Sequence, residues 1–233
     1  MLVVVASRHD RTAQQLVARW ETDSAALLTA EDVCAPGWRH YVGSGEGSAV
    51  VDGAVVAVTD ISGVLTRRPW VFEQELPHIA PADRAYVAAE MNALMVSWLS
   101  ELPCPVLNQP TPMCLSGPSW RPQEWLRAAA SSGLRVRPGR WEVPATGADR
   151  PDAGQWPGPV IDVTVVGGRC FGADGQPAAR ACQLAAAAGV ELLGVRFGDG
   201  DGEPCFLSAT TWPDVSPGVV ADAVRDRLVG GRP

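Results

Sequence analysis

Val87, Met91, Leu94, Met95, Trp98, Leu99 and Leu102 recur at spacings of three and four. That period draws a single apolar stripe along an α-helix, and such a stripe folds stably only when another apolar layer covers it. Pro103 and Pro105 end the helix, because a proline ring removes a backbone donor and clashes with the preceding turn. Val106 and Leu107 then read as a strand. The covering layer is foreshadowed by other short apolar runs. Residues 2–6 are continuously apolar, the pattern of a parallel strand buried on both faces, and residues 25–29 and 63–66 read as two more strands. Thr12-Ala13-Gln14-Gln15 fits a capping box at a helix start, and residues 48–59 alternate around Asp52-Gly53, a two-residue hairpin signal. A helix over residues 119–132, stopped by Gly133, completes a third strand-helix step. Repeated steps of this kind predict an open, mostly parallel α/β sheet.

The character changes after Arg137. Residues 138–159 are rich in Pro, Gly, Asp and Ala without an apolar period, so they read as a linker between a unit at 1–137 and a second at 160–233. The second unit begins with a strand at 161–166, a Gly167-Gly168 turn and a returning strand at 169–171. Pro177 and Gly189 bracket an alanine-rich helix. Strands at 192–197 and 205–208 follow, joined through Asp199-Gly200-Asp201-Gly202, and Ser216-Pro217 opens a last helix.

Net charge and segment lengths exclude several function classes. A net charge of -7 offers no basic footprint for nucleic acid or an anionic membrane surface. No apolar run approaches the length of a membrane span or a signal-peptide core, so the expected location is the cytoplasm. The six cysteines contain no C-x-x-C pair and read as small buried side chains, with a disulfide or reactive thiol as the alternative. His9, His40 and His78 are scattered and read as loop histidines, so no metal centre is expected.

The segments LTRRPW (65–70), AAEMNALMVSWLSELPCPVLNQP (88–110) and GLRVRP (133–138) resemble the N-terminal domain of ATP-grasp ligases, in particular the microviridin or graspetide type that macrocyclise ribosomal peptides. Residues 160–228 resemble the end of the same enzymes. The resemblance implies a Rossmann-like, pre-ATP-grasp N-terminal domain and a small α/β remnant of the ATP-grasp domain. It matches VVGGRCFG (165–172) to a strand-turn-strand beside the nucleotide, and LLGVRF (192–197) and CFLSATTWPD (205–214) to the segments that hold magnesium. At the ligand positions this chain has Arg196 in place of aspartate, Ser208 in place of glutamate and Thr210 in place of asparagine. Magnesium requires oxygen ligands, usually carboxylates with phosphates, and it neutralises charge during phosphoryl transfer. The resemblance also implies a long central segment with nucleotide-gripping lysines, whereas this chain has only the linker there and no lysine at all. The expectation is an inactive, ATP-grasp-like accessory protein without a cofactor, binding a peptide or a partner enzyme. The alternative is an active ligase with an altered site, or one completed by a partner.

Other patterns are weaker. Gly43-Ser44-Gly45-Glu46-Gly47 lacks the strand before it and the helix after it that a phosphate loop needs. Asp199, Asp201 and Glu203 open like a calcium loop, but Thr210 stands where its closing glutamate belongs. Ser62, Ser116 and Ser119 have no nucleophile-elbow context. The candidate ligand-binding residues are Arg67, Arg68, Trp70 and Asn108, which follow two parallel strands where such sheets bind ligands and could meet an acidic peptide. The other reading pairs the arginines with Glu73, Glu75 or Glu90 and puts Trp70 at a core edge. Trp98 and Trp125 fall on helix faces; Trp141, Trp156 and Trp212 sit in loop contexts and suggest an apolar patch for a homodimer or a hetero-oligomer, or alternatively side chains that fold back onto the body.

Overall fold

The computed structural model describes residues 1–137, 156, 158–199 and 203–230. The linker at 138–159 is thus almost wholly outside the described residues, as is Trp141. The chain opens with β1 (Leu2–Val5), α1 (Arg11–Arg19), β2 (Ala26–Leu28), α2 (Ala30–Cys34) and the strands β3 (Arg39–His40), β4 (Gly47–Val51) and β5 (Ala54–Ala57). Next come β6 (Gly63–Thr66), α3 (Arg84–Glu101) and β7 (Val106–Leu107). Strands β2, β1, β6 and β7 lie side by side in that order, every pair parallel. Strands β3, β4 and β5 form a separate antiparallel sheet, and Asp52 and Gly53, both at positive φ, make the expected β4–β5 turn.

Alternate residues of β1 feed two different cores. Val3 and Val5 pack with Val64, Val106 and the α3 stripe of Met91, Met95, Trp98 and Leu99. Leu2 and Val4 face the other way, with Leu65, toward Leu16 and Trp20. A period of two on a strand with both faces covered explains why the run reads as continuously apolar.

Helix α1 corrects one local expectation. Its cap is Asp10, whose Oδ1 accepts a hydrogen bond from the Ala13 amide at 3.0 Å, and Thr12 lies inside the first turn. A carboxylate at the N-cap serves the free amides and the positive helix end together, so the aspartate two residues earlier takes the role. The reciprocal capping box occurs instead at α2, between Thr29 and Asp32.

The remainder comprises α4 (Pro122–Ser131), β8 (Arg135–Val136), β9 (Val160–Val166), β10 (Arg169–Phe171), α5 (Gln176–Ala188), β11 (Leu192–Gly198), β12 (Cys205–Thr210) and α6 (Gly218–Val229). The five strands stand in the order β10-β9-β11-β12-β8, antiparallel except for the β12–β8 pair. Helices α4 and α5 cover one face, where Trp125, Ala129, Leu134, Ala181 and Leu184 pack on Val163, Val195, Phe197 and Phe206. Helix α4, which from sequence falls in the unit at 1–137 as a third strand-helix step, thus packs on the second sheet, as does β8, a strand not expected from sequence. Their apolar residues complete the core of β11 and β12, and β8 pairs with β12 through Arg135 and Val136.

Helix α6 crosses the other way. Val220, Ala221, Val224 and Leu228 close the core around Leu2, Val4 and Leu65, which also takes in Val166 and Leu192. Gly63 permits the approach: a Cβ there would lie 2.7 Å from Leu228 Cβ and 2.8 Å from its carbonyl oxygen. Two ion pairs flank this contact, Arg19 with Asp222 and Arg225 with Asp23. Among the described residues no helix is long and apolar enough to cross a membrane.

Candidate functional site

Period-two alternation on β9, β11 and β12 sends Val163, Val165, Leu193, Val195 and Phe197 into the core under α4 and α5. The same alternation leaves Asp162, Thr164, Arg196, Ser208 and Thr210 on the opposite face. That polar face is the floor of a cleft of about 670 Å³, walled by Phe171, Trp212, Pro213, Asp214 and the start of α6 at Val219 and Val220. Gly194 lets the wall close, since a Cβ there would stand 3.0 Å from Pro213 Cβ.

On the floor, Arg196 donates through Nε to Asp162 Oδ1 at 2.8 Å and through Nη2 to Oδ2 at 3.3 Å. The partners face each other across β11 and β9, while Ser208 faces Arg196 from β12. Both charged side chains are more than half exposed, so the pair can be exchanged for a ligand's charges at small cost. Thr210 Oγ1 accepts from the Trp212 amide at 3.1 Å and so shapes the turn that carries the indole. Asp214 accepts from the Ser216 amide at 2.9 Å. Hydrogen bonding from Ser216 and, more weakly, the charge of Arg67 hold its carboxyl below the usual range.

The four residues nominated from sequence do not gather on one surface. Arg67 is buried; its Nε donates to Asp10 Oδ2 at 3.0 Å and its guanidinium lies 5.9 Å from the centroid of the Trp212 ring. It thus braces the cleft wall from behind. Arg68 is also buried, donates to the Trp70 carbonyl at 2.9 Å and pairs with Glu75. Burial pulls its pKa down while Glu75 pushes the other way. Trp70 is half-buried. Asn108 is 2% exposed and acts as a stitch between the sheets: Nδ2 donates to the Leu192 carbonyl at 2.8 Å, and Oδ1 accepts from the Leu192 amide at 2.8 Å and the Glu191 amide at 3.0 Å. The cleft residues Asp162, Thr164, Phe171 and Asp214 went unnominated, although the alternation in VIDVTVV and LLGVRFG carries the signal for Asp162 and Thr164.

Of the loop tryptophans, Trp212 is 43% exposed and belongs to the cleft. Trp156 folds back onto β11: Gly198 leaves the space its ring occupies, where a Cβ would lie 2.2 Å from the indole.

The donor set does not fit a magnesium ion. At the positions that the resemblance assigns to its ligands stand a guanidinium, already paired with Asp162, and two hydroxyls, which do not supply anionic oxygens. Among the described residues no group of three or more His, Cys, Asp or Glu is placed to hold a metal ion.

No known protein family's sequence profile matches the chain, and no curated protein is significantly similar to it in sequence. Solved structures do match. The macrocyclase MdnC from Microcystis aeruginosa MRC, bound with the precursor peptide MdnA, superposes with a TM-score of 0.69 at 14% identity, over 99% of this chain and 100% of that one. A RiPP-associated ATP-grasp ligase from Chryseobacterium gregarium, in complex with ADP and a leader and core peptide, gives 0.68 at 9% identity, over 100% and 97%. The ATP-grasp ligase PsnB, complexed with a minimal precursor, Mg and ADP, gives 0.65 at 15% identity, over 97% and 98%.

Proposed function

We propose that this chain, which has the fold of the peptide-modifying ATP-grasp ligases, is an accessory protein of a peptide modification pathway that binds a peptide or a partner enzyme and does not itself ligate. The observation that carries this reading is the Arg196–Asp162 ion pair on the cleft floor, with Ser208 and Thr210 beside it. With the Asp162 carboxylate taken up by a guanidinium, the floor offers hydroxyls where the dication of phosphoryl transfer needs anionic oxygens. The peptide-bound states of the solved ligases support a peptide as the ligand class.

The same cleft suits that ligand. Arg196 can exchange Asp162 for an acidic side chain bidentately, the hydroxyls of Ser208 and Thr210 supply further hydrogen bonds, and Trp212, Phe171 and Val219 offer apolar purchase at the walls. Exposed Trp212 and Val219 also suit a hetero-oligomer or homodimer built on this face. A second reading, residual nucleotide binding by an active ligase, is favoured by the survival of a cleft of about 670 Å³.

Calorimetric titration with ATP and magnesium separates the two. The expected outcome is no saturable heat at millimolar nucleotide, and saturable micromolar binding would move the assignment to the active ligase.

A further inference from the structure

Cys170 on β10 and Cys182 on α5 point at each other across the strand-helix contact, their Sγ atoms 2.7 Å apart. Each thiol also points at a backbone carbonyl of the opposite segment, Cys170 at Ala178 and Cys182 at Gly168, both at 3.3 Å. Both side chains are half-buried, so a small reagent can reach them. The elements themselves are well anchored: β10 is the edge strand of the five-stranded sheet, and α5 is packed on it through Ala181 and Leu184.

We propose that Cys170 and Cys182 are a reversible redox pair that closes to a disulfide when the surroundings become oxidising. The oxidant is a low-molecular-weight disulfide such as oxidised glutathione. Cys182 attacks one of its sulfurs, forming a mixed disulfide and releasing one thiol. Cys170 then attacks the Cys182 sulfur and expels the second thiol. In sum, two S–H bonds are lost, one S–S bond forms, and the oxidant is reduced to two thiols that carry both protons. The order follows from the environment of Cys170, whose pKa burial and the contact with Cys182 push up to about 12: it stays protonated while Cys182 is a free thiol, and it ionises more readily once the mixed disulfide removes the charge and hydrogen bond of Cys182, its proton leaving with the expelled thiol.

Closure would tie the edge strand to the helix behind it. Phe171 and Gly172, which follow Cys170 directly, line the cleft, so the oxidation state of the pair sets how firmly that wall is held. The pair stands independently of whether the cleft binds a peptide or a nucleotide.

Reduced protein is incubated with oxidised glutathione at neutral pH, denatured, alkylated and analysed by mass spectrometry. The expected result is the loss of two hydrogens, one cross-linked peptide joining Cys170 to Cys182, and alkylation confined to Cys34, Cys104, Cys114 and Cys205. Dithiothreitol restores all six thiols. The melting midpoint of the oxidised form should rise by roughly 5 °C, as expected for a short closed loop in a chain of this size. In Cys170→Ser the reaction should stop at a glutathione adduct on Cys182. Six alkylated cysteines after oxidation, a cross-link to any other cysteine, or an internal disulfide in Cys170→Ser would each overturn the proposal, and the first two need no variant.

Discussion

Asn108 shows how much one side chain can be asked to do where the parallel sheet meets the five-stranded one. At the start of β11 its amide donates to the Leu192 carbonyl and accepts from the Glu191 and Leu192 amides, on the side where the pairing with β12 stops at Gly194. Removing it leaves those buried groups without partners, at a cost of about 2–4 kcal/mol. Asn108→Ala should lower the urea midpoint accordingly, with unchanged slope. Asn108→Asp should do at least as much harm despite its shape, because the donor to the Leu192 carbonyl is lost and a carboxylate is buried. Equal stability of Asn108→Asp and the parent would refute the stitch. Arg67 and Arg68 are likewise internal, with partners in Asp10 and Glu75. From sequence, a polar residue beyond a strand reads as a ligand contact. The Arg68–Glu75 pair is local and matches the alternative pairing expected from sequence, whereas nothing near LTRRPW or LNQP points to the distant partners Asp10 of Arg67 and Leu192 of Asn108.

Among the elements, α6 depends on a glycine of another element. Gly63 on β6 touches both the side chain and the carbonyl of Leu228, so trimming Leu228 could not make room for an added methyl. Gly63→Ala should force α6 outward and cost about 1–3 kcal/mol, read as a lower melting midpoint. Full retention of stability would mean that the helix slides freely on the sheet. The period of α3, the strands around β1 and β6, the Asp52-Gly53 hairpin, and the Pro177 and Gly189 limits of α5 are all legible in the sequence, since each is a matter of local spacing or backbone preference. The placement of α4 and β8 on the second sheet is not legible. It is decided by Trp125, Ala129 and Leu134 finding Phe197 and Phe206, residues far apart in the chain. The cleft is intermediate: its polar floor follows from strand alternation, but its walls exist only once α6 and the 212–217 turn fold over it.

At the scale of the whole molecule, the first and last helical layers are held together by charge as well as by apolar packing. Arg225 and Arg19 hydrogen-bond Asp23 and Asp222, and these bonds hold both carboxyls below their usual range. A carboxylate whose pKa is depressed on folding contributes stability above its unfolded value, and loses it as the pH falls through the folded one. Thermal stability should therefore decline as the pH drops below about 4. Because the pairs lie near the surface, concentrated salt at neutral pH should reproduce part of the loss. A midpoint insensitive to both would show that packing alone secures α6.

The return of α6 to the first sheet also orders events at the ribosome. Leu2, Val4 and Leu65 are made well before residues 218–229, which share with Leu16 of α1 and Trp20 at its C-cap the cover of the face they build. Until α6 is made, the nascent protein therefore carries an apolar sheet face that α1 covers only in part. Chaperone engagement and aggregation should concentrate in that interval and end when α6 clears the exit tunnel.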